Sequence, residues 1–225
     1  MDSGSIFVII LTVAIGLIAV FLFFRLTYKR KQSRDQILFV GPRSSGKTFL
    51  TRKLAYNVEP ATVMSSEVSI LKGENVLTKR ALVDFPGHPK LRHQLEKHVS
   101  TALKIVFVFD AANTQSQLRD AAEYIYDLFT NAQIDECSSM IVACNKCDMQ
   151  GARPSARIKL NLEQELEKIK LTRKSLDDGE DDKYIPLGRE NQPFSFKHDS
   201  PVNVEFIDIS AKNGPLDELL ALIEC

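Results

Sequence analysis

Three hydrophobic patterns run along the chain, and each predicts a different element. The first is a continuous apolar run, IFVIILTVAIGLIAVFLFF, over 6–24, relieved only by Thr12 and Gly16. As a helix it would be about 28 Å long, close to the hydrocarbon thickness of a bilayer, so it predicts one transmembrane helix. The second pattern is a set of short runs rich in β-branched residues. They are Ile37 to Val40, RALVDF from Arg80, KIVFVFD ending at Asp110, SMIVACN ending at Asn145 and VNVEFIDIS ending at Ser210. Unbroken runs of this length suit parallel strands buried on both faces. A further edge strand is expected around Glu67 to Leu71, with Gly73 to Asn75 as its turn. The third pattern repeats at three and four: Leu118, Ala121, Ala122, Ile125, Leu128 and Phe129, then Ile158, Leu162, Leu166 and Ile169, then PLDELLALI near the end. These are amphipathic helices. Strand and helix in alternation predict an α/β fold, a doubly wound, mostly parallel sheet of about six strands. Periodicity is lost over 174–201, where acids, glycines and prolines collect; a long acidic loop, partly disordered, is expected there.

Charge placement then fixes a topology. Arg25, Lys29, Arg30, Lys31 and Arg34 follow the apolar run, and no basic residue precedes it. A cleaved leader would want a basic start, so retention as an anchor is expected, with the following domain in the cytosol. The predicted organisation is a luminal N-terminus over 1–5, the span over 6–24, a basic juxtamembrane linker over 25–35 and one domain over 36–225. Overall the 29 basic and 29 acidic residues cancel, which gives no basic field to recommend direct, sequence-specific nucleic-acid binding. Four cysteines are too few for a disulfide framework. Cys144 and Cys147 form a C-x-x-C without a second pair, and plain thiols are expected.

The chemistry lies at the strand ends. Gly41-Pro42-Arg43-Ser44-Ser45-Gly46-Lys47-Thr48, followed by Phe49, stands between a strand and a helix, the context a phosphate-binding loop needs. There the glycines turn backbone amides inward around a β-phosphate, Lys47 gives a point charge to the β/γ-oxygens, and Thr48 offers its hydroxyl to Mg²⁺. Asp84-Phe85-Pro86-Gly87 ends the next clear strand. From that place Asp84 reaches Mg²⁺ through water, and Gly87 turns its amide toward a γ-phosphate. Asn145-Lys146-Cys147-Asp148 ends another strand. A carboxylate at Asp148 accepts the N1 and N2 hydrogens of guanine, a pair that adenine lacks; Asn145 braces the loop and Lys146 lays its stem along the base. Ser210-Ala211-Lys212 follows the last strand and is expected to supply a backbone amide near the base oxygen.

In this order the four motifs resemble the small GTPase superfamily, across the whole domain after the anchor. More narrowly, an N-terminal anchor followed directly by a GTPase domain with DFPGH and ACNKCD is similar to the family of signal recognition particle receptor beta subunits. The resemblance implies GTP and GDP as ligands with Mg²⁺. It also implies a single-pass protein of the endoplasmic reticulum membrane that holds the receptor alpha subunit, through the latter's N-terminal domain, when loaded with GTP. Ribosomes bearing nascent chains would then pass to the translocon. Ras-like members carry glutamine where His88 stands, so His88 either positions water or caps the next helix, and hydrolysis is expected to be slow or partner-dependent. The first switch should add a hydroxyl to Mg²⁺; Thr62 is the first candidate, with Ser65 and Ser66 behind it. Arg43 lies in the cradle with its direction open. His93 and His98 lie five apart, a spacing that puts them on different helix faces and marks them as surface. The alternative is an Arf- or Sar-like trafficking GTPase, which releases an amphipathic N-terminal segment in a way a permanent span cannot.

Overall fold

The computed structural model describes residues 34–59, 65, 67–71, 78, 80–176 and 186–224, with Gly4, Gly16 and Val20 besides. Residues Met1–Ser33 and Arg34–Cys225 are separate compact units. Of the first, the three described residues are helical. No helix among the described residues is long and apolar enough to cross a membrane; the expected span over 6–24 lies almost wholly outside them.

The second unit is a six-stranded sheet in the order β2-β3-β1-β4-β5-β6. Its strands are β1 (Gln36–Val40), β2 (Ser69–Leu71), β3 (Ala81–Asp84), β4 (Ala102–Asp110), β5 (Ser139–Asn145) and β6 (Asn203–Asp208). All pairs are parallel except β2 with β3. The helices are α1 (Lys47–Tyr56), α2 (Leu95–Val99), α3 (Thr114–Phe129), α4 (Ser155–Leu176), α5 (Phe196–Asp199) and α6 (Asp217–Glu224), with a 3-10 turn at Pro89–Gln94 before α2.

Strand side chains alternate between two cores, as the two-residue period requires. Leu38, Val40, Phe107, Phe109 and Val142 face the cluster that holds α2, α3 and α4 residues. Ile37, Phe39, Val106, Val108 and Ile141 face the cluster closed by α1 and α6. Each fully buried side chain of this size contributes about 2 kcal/mol. Parallel strands bring their C-terminal ends to one edge, where ligands of such sheets bind.

Several boundaries differ from the sequence expectation: β2 begins at Ser69 instead of Glu67, and β3 keeps only Ala81–Asp84 of its run. β4 begins at Ala102, before the apolar run becomes continuous, and β6 ends at Asp208 instead of Ser210. The expected loop over 174–201 is corrected at both described ends. The helix α4 continues through Leu176. Residues 186–200 contain α5 and bury Leu187, Phe194 and Phe196. Phe196 meets Phe194, Phe129 and Phe206 edge-on at ring separations of 5.3, 6.2 and 5.0 Å. Glu167 accepts from the Phe194 amide and Glu163 from the Phe196 amide, so carboxylates of α4 pin the segment.

Candidate functional site

The loop after β1 presents its amides inward because its carbonyls are bound elsewhere. Lys47 Nζ donates to Gly41 O at 2.9 Å and Pro42 O at 2.6 Å. Arg43 O accepts from Gln117 Nε2 at 2.9 Å, Ser44 O from Lys146 Nζ at 2.8 Å and Ser45 O from Asn145 Nδ2 at 2.8 Å. Gly46 O takes the first helical bond of α1, from Leu50 N. Six successive carbonyls are thus engaged, which leaves a concave run of N–H groups at a helix N-terminus: an anion site. Two glycines make this turn possible. Gly41 has φ 136° and Gly46 φ 92°, and a Cβ on Gly41 would lie 2.3 Å from Val108 O. Lys47 is buried; desolvation lowers its pKa to about 8, against the pull of Asp84 and Asp120.

Opposite the loop, Thr48 Oγ1 donates to Asp84 Oδ2 at 2.7 Å. Asp84 Oδ1 is buried without a hydrogen-bond partner among the described residues, and burial raises the carboxyl's pKa in spite of Thr48, Lys47 and Arg52. A buried carboxylate oxygen lacking a donor beside a threonine hydroxyl is the donor set a hard divalent cation takes. Gly87 sits against the loop so closely that a Cβ would lie 2.8 Å from both Gly41 O and Lys47 Nζ. His88 lines the same cavity, and its Nδ1 accepts from Lys90 N at 3.1 Å. It therefore caps the 3-10 turn, with the remaining proton on Nε2. Partial desolvation, then Arg43 and Lys90, lower its pKa, in the direction of the neutral ring that an accepting Nδ1 requires.

At the other end of the cavity, Asn145 Oδ1 accepts from both Lys146 N at 2.8 Å and Ala211 N at 2.9 Å. Asn145 thus bonds three segments, at Ser45 O, Lys146 N and Ala211 N. The Ala211 amide, expected near a base oxygen, donates to Asn145 instead, although Ala211 lines the cavity. Asp148 is exposed, and its carboxylate is held below the usual range by the Ser210 hydroxyl and then the Asn213 amide, the latter at 2.8 Å. Lys53 of α1 donates to Ala211 O and Lys212 O, tying that loop to the helix behind the cradle. All of these segments line one cavity of about 890 Å³.

Residues 32–201 match the family model described as signal recognition particle receptor beta subunit. The chain belongs to that family. The mouse signal recognition particle receptor subunit beta is 33% identical over 216 residues, 91% of this chain and 80% of the mouse protein. The human protein has the same identity over 91% of this chain and 79% of its own length. Among solved structures, the mammalian SRP receptor superposes with TM-score 0.70 at 32% identity, over 84% of this chain and 97% of that one. The signal recognition particle receptor SRb-GDP-Mg from Chaetomium thermophilum, at 23% identity and TM-score 0.66 over 87% of this chain and 98% of that one, shares the fold.

Within this family's fold the cavity gathers Arg43, Ser44, Gly46, Lys47, Thr48, Phe49, Gly87, His88, Asn145, Lys146, Asp148 and the 210–212 triplet. Gly41, Pro42, Ser45 and Asp84 lie buried immediately behind it. Arg43 is exposed. Thr62 and Ser66 lie outside the described residues; Ser65 lines the cavity and donates to Glu67 O at 2.9 Å. His98 corrects the surface expectation, being half-buried edge-on against Phe85 at 5.7 Å. Cys144 is buried and Cys147 exposed, both free, and no cluster of three His, Cys, Asp or Glu exists among the described residues. Sequence reading missed Asp110 and Gln117. Asp110 ends a strand at the functional edge, as Asp84 and Asn145 do, and that shared position was the available signal.

Proposed function

We propose that this chain is the GTP-binding beta subunit of a signal recognition particle receptor, which holds GTP with Mg²⁺ and in that state tethers the receptor alpha subunit at the endoplasmic reticulum membrane. The observation that carries the reading is Asn145. One side chain joins the phosphate loop, at Ser45 O, to the base loop, at Ala211 N. Phosphates and base are thereby held in one frame, which suits a ligand bound as a whole. A carboxylate kept ionised at Asp148 selects guanine, because only that base offers two adjacent hydrogens to it.

Thr48 and Asp84 would hold Mg²⁺, Asp84 through water. When bound, the cation supplies positive charge to the phosphate oxygens. The chain's own part is to fix those oxygens with loop amides and with Lys47. His88, neutral and with its proton on Nε2, can orient a water by donation but is not set to take its proton. This supports slow or partner-dependent hydrolysis, and with it a role as a nucleotide-gated docking surface formed by Thr62 and by Asp84 to His88. The signal recognition particle receptor SRb-GTP/SRX complex from Chaetomium thermophilum, which shares this fold, pairs that protein in its GTP form with SRX. The apolar run over 6–24 and the basic residues after it support single-pass anchoring with a cytosolic domain. Passage of ribosomes to the translocon would follow from the tether. A trafficking GTPase is the weaker reading, since an ADP-ribosylation factor-like protein from Arabidopsis matches over 52% of this chain.

The test uses the full chain in lipid nanodiscs, with single-turnover GTP hydrolysis and affinity for the alpha subunit's N-terminal domain measured in both nucleotide states. Affinity that requires GTP, with negligible hydrolysis by the chain alone, is the expected outcome. Rapid hydrolysis without that affinity would return the chain to the trafficking GTPases.

A further inference from the structure

The phosphate loop is held from outside by three side chains on consecutive carbonyls, and one of the three depends on a buried acid. Lys146, which reaches Ser44 O, is itself gripped by Asp110 Oδ2. Asp110 is almost fully buried, with a side-chain exposure of 1%. It also accepts from Ala112 N at 3.0 Å, Asn113 N at 3.2 Å and Asn113 Nδ2 at 3.0 Å. Its carboxylate is therefore fixed by the turn that opens α3, and it presents one remaining oxygen direction to the lysine. The geometry on both sides of the lysine is strained. Lys146 has φ 66° and Ser44 φ 58°, two non-glycine residues in the left-handed region. Each such residue needs its surroundings to hold it there, and the Asp110–Lys146–Ser44 chain joins the two.

We propose that Asp110 is a positioning residue for nucleotide retention: through Lys146 it holds the phosphate loop and the base loop in one register, so that weakening it speeds release of bound guanine nucleotide. This rests on the guanine-nucleotide reading above. Asp110 touches no ligand itself; it acts through Lys146. Burial alone would push its pKa upward, but the bonds from Lys146 and Asn113 outweigh that and lower it, so the acid is ionised across the physiological range. A charge-assisted bond to a buried acid is about twice as strong as a neutral one, so the lysine that holds Ser44 O is itself firmly placed.

The substitution Asp110→Asn separates the two jobs of the acid. An amide oxygen in the Oδ1 place still accepts from Ala112 N and Asn113 N, whereas the Oδ2 place, which takes Lys146 Nζ and Asn113 Nδ2, becomes a donor and the charge that orders Lys146 is gone. Release of a fluorescent GDP from the full chain is then followed for wild type, D110N, K146M and the double variant, with thermal unfolding recorded for each. Roughly tenfold faster release is expected for D110N. The double variant should release no faster than K146M alone, because both changes break one chain of contacts. Wild-type release rates in D110N, or multiplicative effects in the double variant, would overturn the inference and leave Asp110 as a turn cap. Should D110N not fold, Lys146→Gln read against K146M carries the test: equal acceleration by both supports a charge-held register, and a wild-type rate for Lys146→Gln overturns it. A wild-type chain that binds no guanine nucleotide would sink the functional reading itself, an outcome distinct from either of these.

Discussion

The two ends of the cavity, proposed to take phosphate and base, are built on different principles. At the phosphate end the work falls to the backbone: six carbonyls from Gly41 to Gly46 are bound away, and the buried Lys47 adds the charge. At the base end one exposed carboxylate, Asp148, is steadied by Ser210 and Asn213. Backbone recognition reads shape and tolerates no change in the turn, whereas side-chain recognition reads identity and can be rewritten. Substitutions at the base end should therefore change what is bound and leave the fold intact. At the phosphate end, binding and stability should fall together.

The largest effect tests that division directly. Asp148→Asn replaces an acceptor pair with one acceptor and one donor, which mismatches guanine and matches xanthine, whose oxygen stands where guanine carries its amine. GTP affinity should fall roughly 1,000-fold while affinity for xanthosine triphosphate rises by a comparable factor. Because Asp148 is exposed, the unfolding midpoint in urea should not move. Equilibrium titration with both nucleotides reads the outcome, and retained GTP preference would break the comparison at its base end.

Next in size is Gly41→Ala. The added Cβ meets Val108 O at 2.3 Å, at a φ of 136°. That position is strained for an L side chain, and the neighbour is backbone that cannot rotate away. The nucleotide-free chain should lose about 3 kcal/mol in urea unfolding, and nucleotide binding should fall with it. Normal stability with lost binding would show that the loop is not coupled to the β4 backbone.

This division also explains what could be read from residues alone. Phosphate-loop glycines and the Asn145 to Asp148 tetrapeptide are local, so spacing within eight residues was enough to place them. Strand ends were legible because buried parallel strands are unbroken apolar runs. The contacts of Asp110, Gln117 and Ala211 N were not, because each partner lies 36 to 74 residues away in the chain. Residues 186–200 hid for a different reason. They bury three isolated apolar side chains, which make no period, and depend on carboxylates of α4 for their backbone bonds.

A pH series sharpens the comparison with a smaller effect. Lys47 titrates at about 8 in the folded chain against 10.5 ordinarily, and bound phosphate favours its charged form. Above pH 8 binding must take up a proton, so affinity should fall about tenfold by pH 9. For the nucleotide-free chain the sign is opposite. Between about pH 8 and 10.5 the unfolded chain holds a proton that the folded one lacks, so this lysine makes stability rise with pH. Asp148, whose pKa is depressed, contributes no change in that window. Hence xanthosine triphosphate binding by Asp148→Asn should show the same alkaline fall as GTP binding by wild type. A fall confined to the wild type would place the titrating group at the base end instead.

The smallest effect isolates one of the three outer holds. Gln117 is half-buried, but its bond from Nε2 to Arg43 O, at 2.9 Å, is solvent-exposed, so water can replace the lost donor. A neutral bond of that kind is worth about 0.5 kcal/mol, so Gln117→Ala should speed nucleotide release by no more than about threefold. Asn145→Ala removes a buried bond to the next carbonyl but one, and also the base-loop brace, so its effect should be many times larger. Equal effects from the two would mean that the loop responds to the number of its carbonyl bonds and not to their burial, and the difference between the two ends of the cavity would then be one of degree.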